Sequence, residues 1–535
     1  METVYFGGRI ITMEDPAHSP QAVLVKKGKI AKVGDLSAVK ALAGPKAKYI
    51  DLQGKCLMPG FIDAHSHISL NGQMSLMADL SECRNFSDVA RTMKEYIAAN
   101  NITEKHIAVG FGYDHNFLDE QAHPGKAVLD TVSTRIPIMI LHISAHMGCV
   151  NTPMLSLSGI TSETQDPQGG RYGRVGQTTE PDGYLEESAM LGCQLAMTKR
   201  IKVNLGKMLS GLQHNYIVNG VTTAQEGAAE QSSMGLLTLA SALGKLKIDV
   251  VAYPLLGKGG EQMMQKKAAM VGKYKKHIKI GGYKMILDGS PQGRSAWMSQ
   301  PYLGGEPDYC GYPWLQDSQA EAYCRQAVDE NRQILAHCNG DAASQQFLDA
   351  YEKALQESTN PNKENLRPVM IHCQTVRNDQ LDRMAKLKMI PSIFVGHVYY
   401  WGDIHRKNFG PERGEHISPV KDALDRGLVV NFHQDAPITK PNMLHSVWAA
   451  ANRESRLGNI IGPDQKVSVY EGLKAVTIHA AYAYFEEDSK GSIAEGKRAD
   501  LVILDKSPLD VEVSAIRNIR VLETIKDGKT IYKRT

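Results

Sequence analysis

Long apolar runs are missing from this 535-residue chain. None reaches the ~18–20 residues that a membrane-spanning helix needs. The opening residues, METVYFGGRIITMEDP, lack the basic and then apolar pattern of a secretory signal. Cysteine is scarce, with eight residues scattered along the chain and no CxxC pair. That argues for free thiols in a reducing cytoplasm rather than a disulfide framework. Neither sign of charge is in excess: 61 Lys plus Arg stand against 58 Asp plus Glu, with no long block of like charge. A nucleic-acid or membrane-surface partner therefore has no electrostatic support. Glycine-rich pieces such as GKGG (257–260) fall short of the GxxxxGK[ST] phosphate loop. No internal repeat is visible. A small-molecule substrate remains.

The length predicts two or three structural units. With 42% hydrophobic and 22% charged residues, the composition is that of an ordinary globular protein. The ends differ from the middle. VYFGGRIITM, AVLVKKGKIAKVG and KYIDLQGKCLM at the start, and ADLVILD and IRVLETIKDGKTIYK at the end, carry β-branched and aromatic residues broken by turn signals. A β-sandwich built from residues 1–59 and 488–535 is expected. Between them, short apolar runs alternate with longer helical segments: FIDAH (61–65), GVTTAQ (220–225), IDVVAY (248–253), IKIGGYKMIL (278–287), QILAH (333–337), PVMIH (368–372), PSIFV (391–395) and LVVNFH (428–433). Eight such βα units predict an α/β fold, a (β/α)8 barrel over 60–487. A long excursion, 68–215, follows the first run and contains the polar, glycine-rich DPQGGRYGRVGQ (166–177). It is expected as an insertion or lid covering the active site.

The chemistry gathers at the ends of these runs. His65 and His67 are two residues apart, and on an extended strand such residues project to one side. His-x-His alone is a weak pattern. His337 and His372, however, each end another apolar run, and Asp435 lies two residues beyond a third. The carboxyl ends of barrel strands are where catalytic residues collect. Lys284 sits inside an apolar strand, where a charged amine is costly unless neutralised or paired; it reads either as a snorkelling side chain or as an amine of lowered pKa. Reaction with CO2 would make it a carbamate, an anionic ligand able to bridge two metals. Cys338 and Cys373 follow ligand-type histidines, face the opposite way and read as core thiols.

HxH after PGFIDA, followed by Lys284, His337, His372 and Asp435, resembles the amidohydrolase superfamily, and most closely its YtcJ-like branch (amidohydrolase family 3), whose members include N-substituted formamide deformylases. DGSPQGRSAW (288–297), AHCNGDAA (336–343), IHCQTVRNDQLDRM (371–384), HQDAPI (433–438), GSIAEGKRADLVILD (491–505), AHMGCVNTPML (145–155) and EPDGYLEE (180–187) are similar to that branch's motifs. The resemblance runs from about residue 4 to the C-terminus. It implies one or two divalent ions, zinc foremost, held by His65, His67, Lys284, His337, His372 and Asp435. Asp435 would take the proton of the attacking water, and a histidine of the cluster, His372, would help polarise the scissile carbonyl. It implies hydrolysis of an amide-type C–N bond in the N-formyl or N-acyl amine class, and a homodimer at the level of a family expectation. A cyclic-amide hydrolase or a deaminase on the same centre, a single-metal site with uncarboxylated Lys284, and a non-catalytic binding protein on a degenerate barrel stay open. His146 and Asn151 match a pair in the insertion and are substrate-binding candidates, as is Arg294 for an anionic group. His433 stands where relatives carry a small residue. It reads equally as a substrate contact, as a partner of Asp435 or as packing. Tyr399, Tyr400 and Trp401 are candidates to line a cleft.

Overall fold

The computed structural model describes residues 2–143, 147–167, 170–304 and 306–535. They form two compact units, one of residues 1–69 with 213–535 and one of residues 70–212. Among the described residues no helix is long and apolar enough to cross a membrane.

In the larger unit both chain ends are β-structure. Lys29–Gly34, Ala22–Lys26, Glu2–Phe6 and Lys48–Asp51 make one sheet; Arg9–Ile10, Cys56–Pro59, Leu501–Leu504, Val521–Lys526 and Lys529–Lys533 make another, in those orders. Strand periodicity explains how they pack. Val23 and Val25 face a shared core with Tyr5, Leu57, Leu501, Ile503 and Ile525, while Ala22 and Leu24 face the opposite way onto Val39 of the helix Leu36–Leu42. The two sheets thus meet in one apolar layer.

The middle of this unit alternates strand and helix. Phe61–Ile62, Val221–Ala229, Asp249–Pro254 and Ile278–Ile280 are parallel neighbours in one sheet; Gly282–Ile286, Gln333–Cys338, Val369–His372, Ile390–Ile393 and Asn431–Phe432 are parallel neighbours in a second. All eight predicted runs contain strand. They are buried almost throughout, as parallel strands covered on both faces must be. IKIGGYKMIL is two strands instead of one, interrupted at Gly281. A Cβ at Gly281 would stand 2.5 Å from the Tyr253 ring, so only glycine fits there. Ile62, Val251 and Tyr253 from the first sheet and Leu335, Val369, Ile371 and Ile390 from the second meet in one cluster with Ala480, Ala481 and Ala483 of the helix Ile478–Ala483. The two sheets therefore share an interior. Covering helices are amphipathic: Asp341–Glu357 buries Ala343, Phe347, Leu348, Tyr351 and Ala354 on one stripe.

Residues 70–212, inside the stretch 68–215 expected as an insertion or lid, are a folded α/β unit. Its sheet runs Gly170–Arg174, Pro181–Glu187, Met147–Val150, Ile138–His142, Ala108–Tyr113 and Ala78–Asp79. One face packs on Val89 and Met93 of the helix Phe86–Ala99, the other on Met154, Leu155 and Cys193. The glycine-rich stretch contributes an edge strand.

At the amino end of Asp249–Pro254, the fully buried Asp249 carboxylate accepts from Lys490 Nζ and Lys526 Nζ, both at 2.7 Å, and lies 3.1 Å from Arg498. This ties the C-terminal strand Val521–Lys526 to the start of a central strand. Removing one partner of a buried ion pair costs about 3–5 kcal/mol. Asp249→Asn is expected to lower the urea midpoint by a corresponding amount; a midpoint equal to wild type refutes this structural role.

Candidate metal centre

His65 and His67 lie just beyond Phe61–Ile62, His337 near the end of Gln333–Cys338, His372 at the end of Val369–His372, and His433 and Asp435 just beyond Asn431–Phe432. The parallel register sets Cys338 beside His372 and Ile286 beside His337, so the side chains of successive strands leave the sheet at one edge. His65 Nε2 and His67 Nε2 each lie 3.4 Å from Asp435 Oδ1. One ligand atom from each of His65, His372 and Asp435 falls within 4.8 Å of the others. The His433 ring is 5.1 Å from those of both His65 and His372, and His337 lies 4.3 Å from His372. His372 and Asp435 have backbone φ of +76° and +51°. Left-handed conformations in non-glycine residues cost of order 1 kcal/mol or more and cluster at functional sites.

Among the described residues, several polar atoms here are buried without a hydrogen-bond partner: Lys284 Nζ, His372 Nδ1, both ring nitrogens of His433, and Asp435 Oδ1. Others are firmly held. His65 Nδ1 is 2.6 Å from Gln225 Oε1; Gln225 in turn donates to Ala64 O, and Tyr484 Oη donates to Asp63 O. This fixes the His65 ring with Nε2 toward Asp435. A Cβ on Gly227 would stand 2.4 Å from His65 Cε1, so glycine is required for this approach. Asp288 accepts from the backbone N–H of Trp297, Asn339 and Gly340 at 2.7–3.0 Å, binding the segments that flank His337. Glu226 Oε2 accepts from Ser69 N at 2.8 Å, and His67 bridges to Glu226 through the backbone.

Burial sets the protonation. It holds His65 and His372 well below the usual imidazole value and pushes His337 down to about 4 and His433 to about 3. The imidazoles are neutral at pH 7, the form that donates a lone pair. Burial pushes Lys284 down to about 8, with Asp435 working in the other direction. For Asp435, burial acts upward, but His67, His433 and His337 together outweigh it and keep the carboxyl below its ordinary range.

Every residue named from the sequence as a ligand lies in this part of the fold, and His433 lies with them. Gln225, Glu226 and Asp288 were not singled out. Each is a polar residue at or just past the end of an apolar strand, the same signal that marked the histidines. Asn151 caps the helix Thr152–Leu157: its Oδ1 accepts from Met154 N and Ile138 N, and its Nδ2 donates to Ser133 O and Ile136 O. Arg294 donates to Asn408 Oδ1 and Gly304 O, anchoring its own loop. Neither is carried into the proposed site. His146 lies outside the described residues. Trp401 is buried against His397 and Phe394, and Tyr399 packs on His445 and Trp448. Cys338 and Cys373 are fully buried, with thiol pKa values pushed up by that burial, as core residues.

A sequence model of the amidohydrolase family matches residues 48–532. The chain belongs to the amidohydrolase family. It is 28% identical to the N-substituted formamide deformylase of Arthrobacter pascens, covering 96% of this chain and 95% of that protein. It is 25% identical to the putative amidohydrolase YtcJ of Bacillus subtilis (strain 168) over the whole of both chains. The crystal structure of an uncharacterized metal-dependent hydrolase from Pyrococcus furiosus matches with a TM-score of 0.74 at 23% identity, covering 95% of this chain and 100% of that one. This last likeness speaks to the fold, which is the mixed α/β fold of amidohydrolases.

Two outcomes are expected of this amidohydrolase. Unfolded lysine titrates near 10.5 and folded Lys284 near 8, so between those values the unfolded state holds the extra proton. The metal-free protein should therefore gain stability as pH rises from about 8 to 10.5, and Lys284→Met should abolish that part of the slope. Parallel urea-midpoint profiles for the two proteins would contradict this. Gly227→Ala displaces His65 and should weaken zinc binding about 10–100-fold, measured by competition with a chromogenic chelator; unchanged affinity would refute the fit at His65.

Proposed function

We propose that this amidohydrolase hydrolyses an amide-type C–N bond of a small molecule of the N-formyl or N-acyl amine class. We read the two parallel sheets as one (β/α)8 barrel with the site at its carboxyl edge, and the strands of both chain ends as a β-sandwich beside it. The observation that carries the reading is the set of buried, unpartnered ligand atoms on Lys284, His372, His433 and Asp435. An unsatisfied buried polar group costs about 1–3 kcal/mol. Several in one place make sense when an outside group satisfies them.

Imidazole nitrogens and a carboxylate suit zinc first. His65, His67, His337, His372 and Asp435 would hold it, with Lys284 as a further ligand when its neutral amine adds CO2 and releases a proton to give a carbamate. A bound divalent ion polarises a carbonyl and lowers the pKa of water from 15.7 to about 7. Asp435 then accepts the proton of the attacking water and delivers it to the leaving amine nitrogen. The His372 ring is held beside this point and steadies the carbonyl oxygen as charge builds on it. The products are a carboxylic acid, formic acid in the simplest case, and an amine. The printed name of the Arthrobacter pascens relative, an N-substituted formamide deformylase, supports this class.

The test is a panel of N-alkyl formamides, N-acyl amines, cyclic amides and aminated heterocycles, scored for carboxylate and primary amine against ammonia. Amine and carboxylate release supports the proposal. Ammonia release from the heterocycles alone replaces it with deamination, and no turnover by zinc-loaded protein refutes it. Asp435→Asn is expected to keep metal and lose about 10²–10⁴-fold in kcat/KM; a near-normal rate removes Asp435 as the proton carrier.

A further inference from the structure

The unit of residues 70–212 holds a second convergence of ligand types. Its strands Ala108–Tyr113 and Ile138–His142 run parallel, with His142 paired to Tyr113, so both deliver their last residues to one edge. Asp114 and His115 follow the first strand, and His142 ends the second. Asp114 Oδ1 lies 3.5 Å from His142 Nε2, and His115 Nδ1 lies 3.2 Å from the same nitrogen. One ligand atom from each residue falls within 4.8 Å of the others.

Those separations carry information. Ligands placed about 2.0–2.1 Å from a tetrahedral zinc are about 3.3 Å from one another. The two edges, 3.2 Å for the His115–His142 hydrogen bond and 3.5 Å for the His142–Asp114 pair, bracket that value. The three side chains are also held in place. Asp114 Oδ1 accepts from the backbone N–H and side-chain amide of Asn116. His123 stacks on His115 at 4.1 Å and is itself fixed by Tyr113 Oη, 3.0 Å from its Nδ1. The His142 and Asp114 side chains are only 6% and 14% exposed, so a cation there is largely shielded from water.

We propose that Asp114, His115 and His142 form a metal site of the zinc class within residues 70–212, additional to the residue set at the sheet edge of the larger unit. Two imidazoles and one carboxylate leave a position open in a tetrahedral ion, for water or a carboxylate ligand. The site stands independently of the proposed hydrolysis, because none of its residues belongs to that residue set.

The experiment is metal counting on the full-length protein. The parent is His65→Gln/His67→Gln/His337→Gln/His372→Gln, which removes all four imidazoles named for the first set. After loading with zinc and desalting, elemental mass spectrometry is expected to find about one equivalent per chain, and adding His115→Gln is expected to remove it. No stoichiometric zinc in the parent, or zinc that survives His115→Gln, overturns the proposal. A gain-of-signal variant guards against misfolding. Cobalt-loaded His115→Cys, made in the same parent, should show a thiolate-to-cobalt charge-transfer band in the near ultraviolet that the parent lacks. Absence of that band also overturns it. Neither readout depends on turnover, so failure of the hydrolase reading and failure of this site give different results.

Discussion

The constraint on which the larger unit depends is the burial of ligand groups that the protein itself leaves unpaired. Lys284, His372, His433 and Asp435 each place a polar atom in the interior with no hydrogen-bond partner. The surroundings hold these groups in position while leaving them unsatisfied. Gln225 fixes the His65 ring through Nδ1, and Tyr484 closes the chain of contacts back to Asp63. Asp288 draws three backbone amides onto one carboxylate and so ties the loop at Trp297 to Asn339 and Gly340, just after His337. Gly227 leaves out the one atom that would strike His65. The Gln225 contact restrains His65 through Nδ1 and leaves Nε2 facing Asp435.

The opposite end of the same strands shows that this is not a general tolerance of buried charge. There Asp249, Lys490, Lys526 and Asp500 are equally deep, yet each is matched by opposite charge at short distance, and the half-buried Arg498 adds to the group. Lys279, five residues before Lys284 in the sequence, pairs with Glu486 and donates to Tyr484 O. Lys284 has no such partner. The pattern is paired charge at the amino ends of the strands and unpaired ligands at the carboxyl ends. Under the proposed barrel reading, this is the division between a stabilising face and a reacting one.

The sequence made the ligands legible because parallel strands buried on both faces read as plain apolar runs, against which a histidine, lysine or aspartate stands out. Gln225 and Glu226 carry a weaker form of this signal in GVTTAQEG: Gln225 is not a metal-ligand type, and Glu226 falls one residue past the run GVTTAQ (220–225). Asp288 was hidden because its partners are backbone amides, which no sequence pattern displays. The stretch 68–215 reads as an insertion, but the fold within it is not legible because its strands are short and broken by glycine. Their core, Val89, Met93, Leu129, Ile138 and Ile140 among others, is assembled from pieces too far apart for local periodicity to join. Asn151 shows the converse error. Asn-Thr-Pro is also a helix start, with asparagine as cap and proline in the first turn, and the fold uses it so.

Charge balance gives Lys284 its place in the proposed reading. Burial keeps His65, His337, His372 and His433 neutral, while Asp435 and Lys284 bring opposite charges to the site. With the amine protonated these two cancel, a balance that a low-dielectric interior tolerates. A divalent cation added to that arrangement would leave two uncompensated positive charges. Converting the ammonium to a carbamate changes the lysine from one positive charge to one negative. Together with Asp435 it then offsets a divalent ion. The same burial that pushes Lys284 down to about 8 also supplies the neutral amine that CO2 requires. In that proposed reading, a lysine placed in an apolar strand would provide one balanced state before the ion arrives and another after it, which neither a permanent carboxylate nor a neutral side chain at position 284 would do.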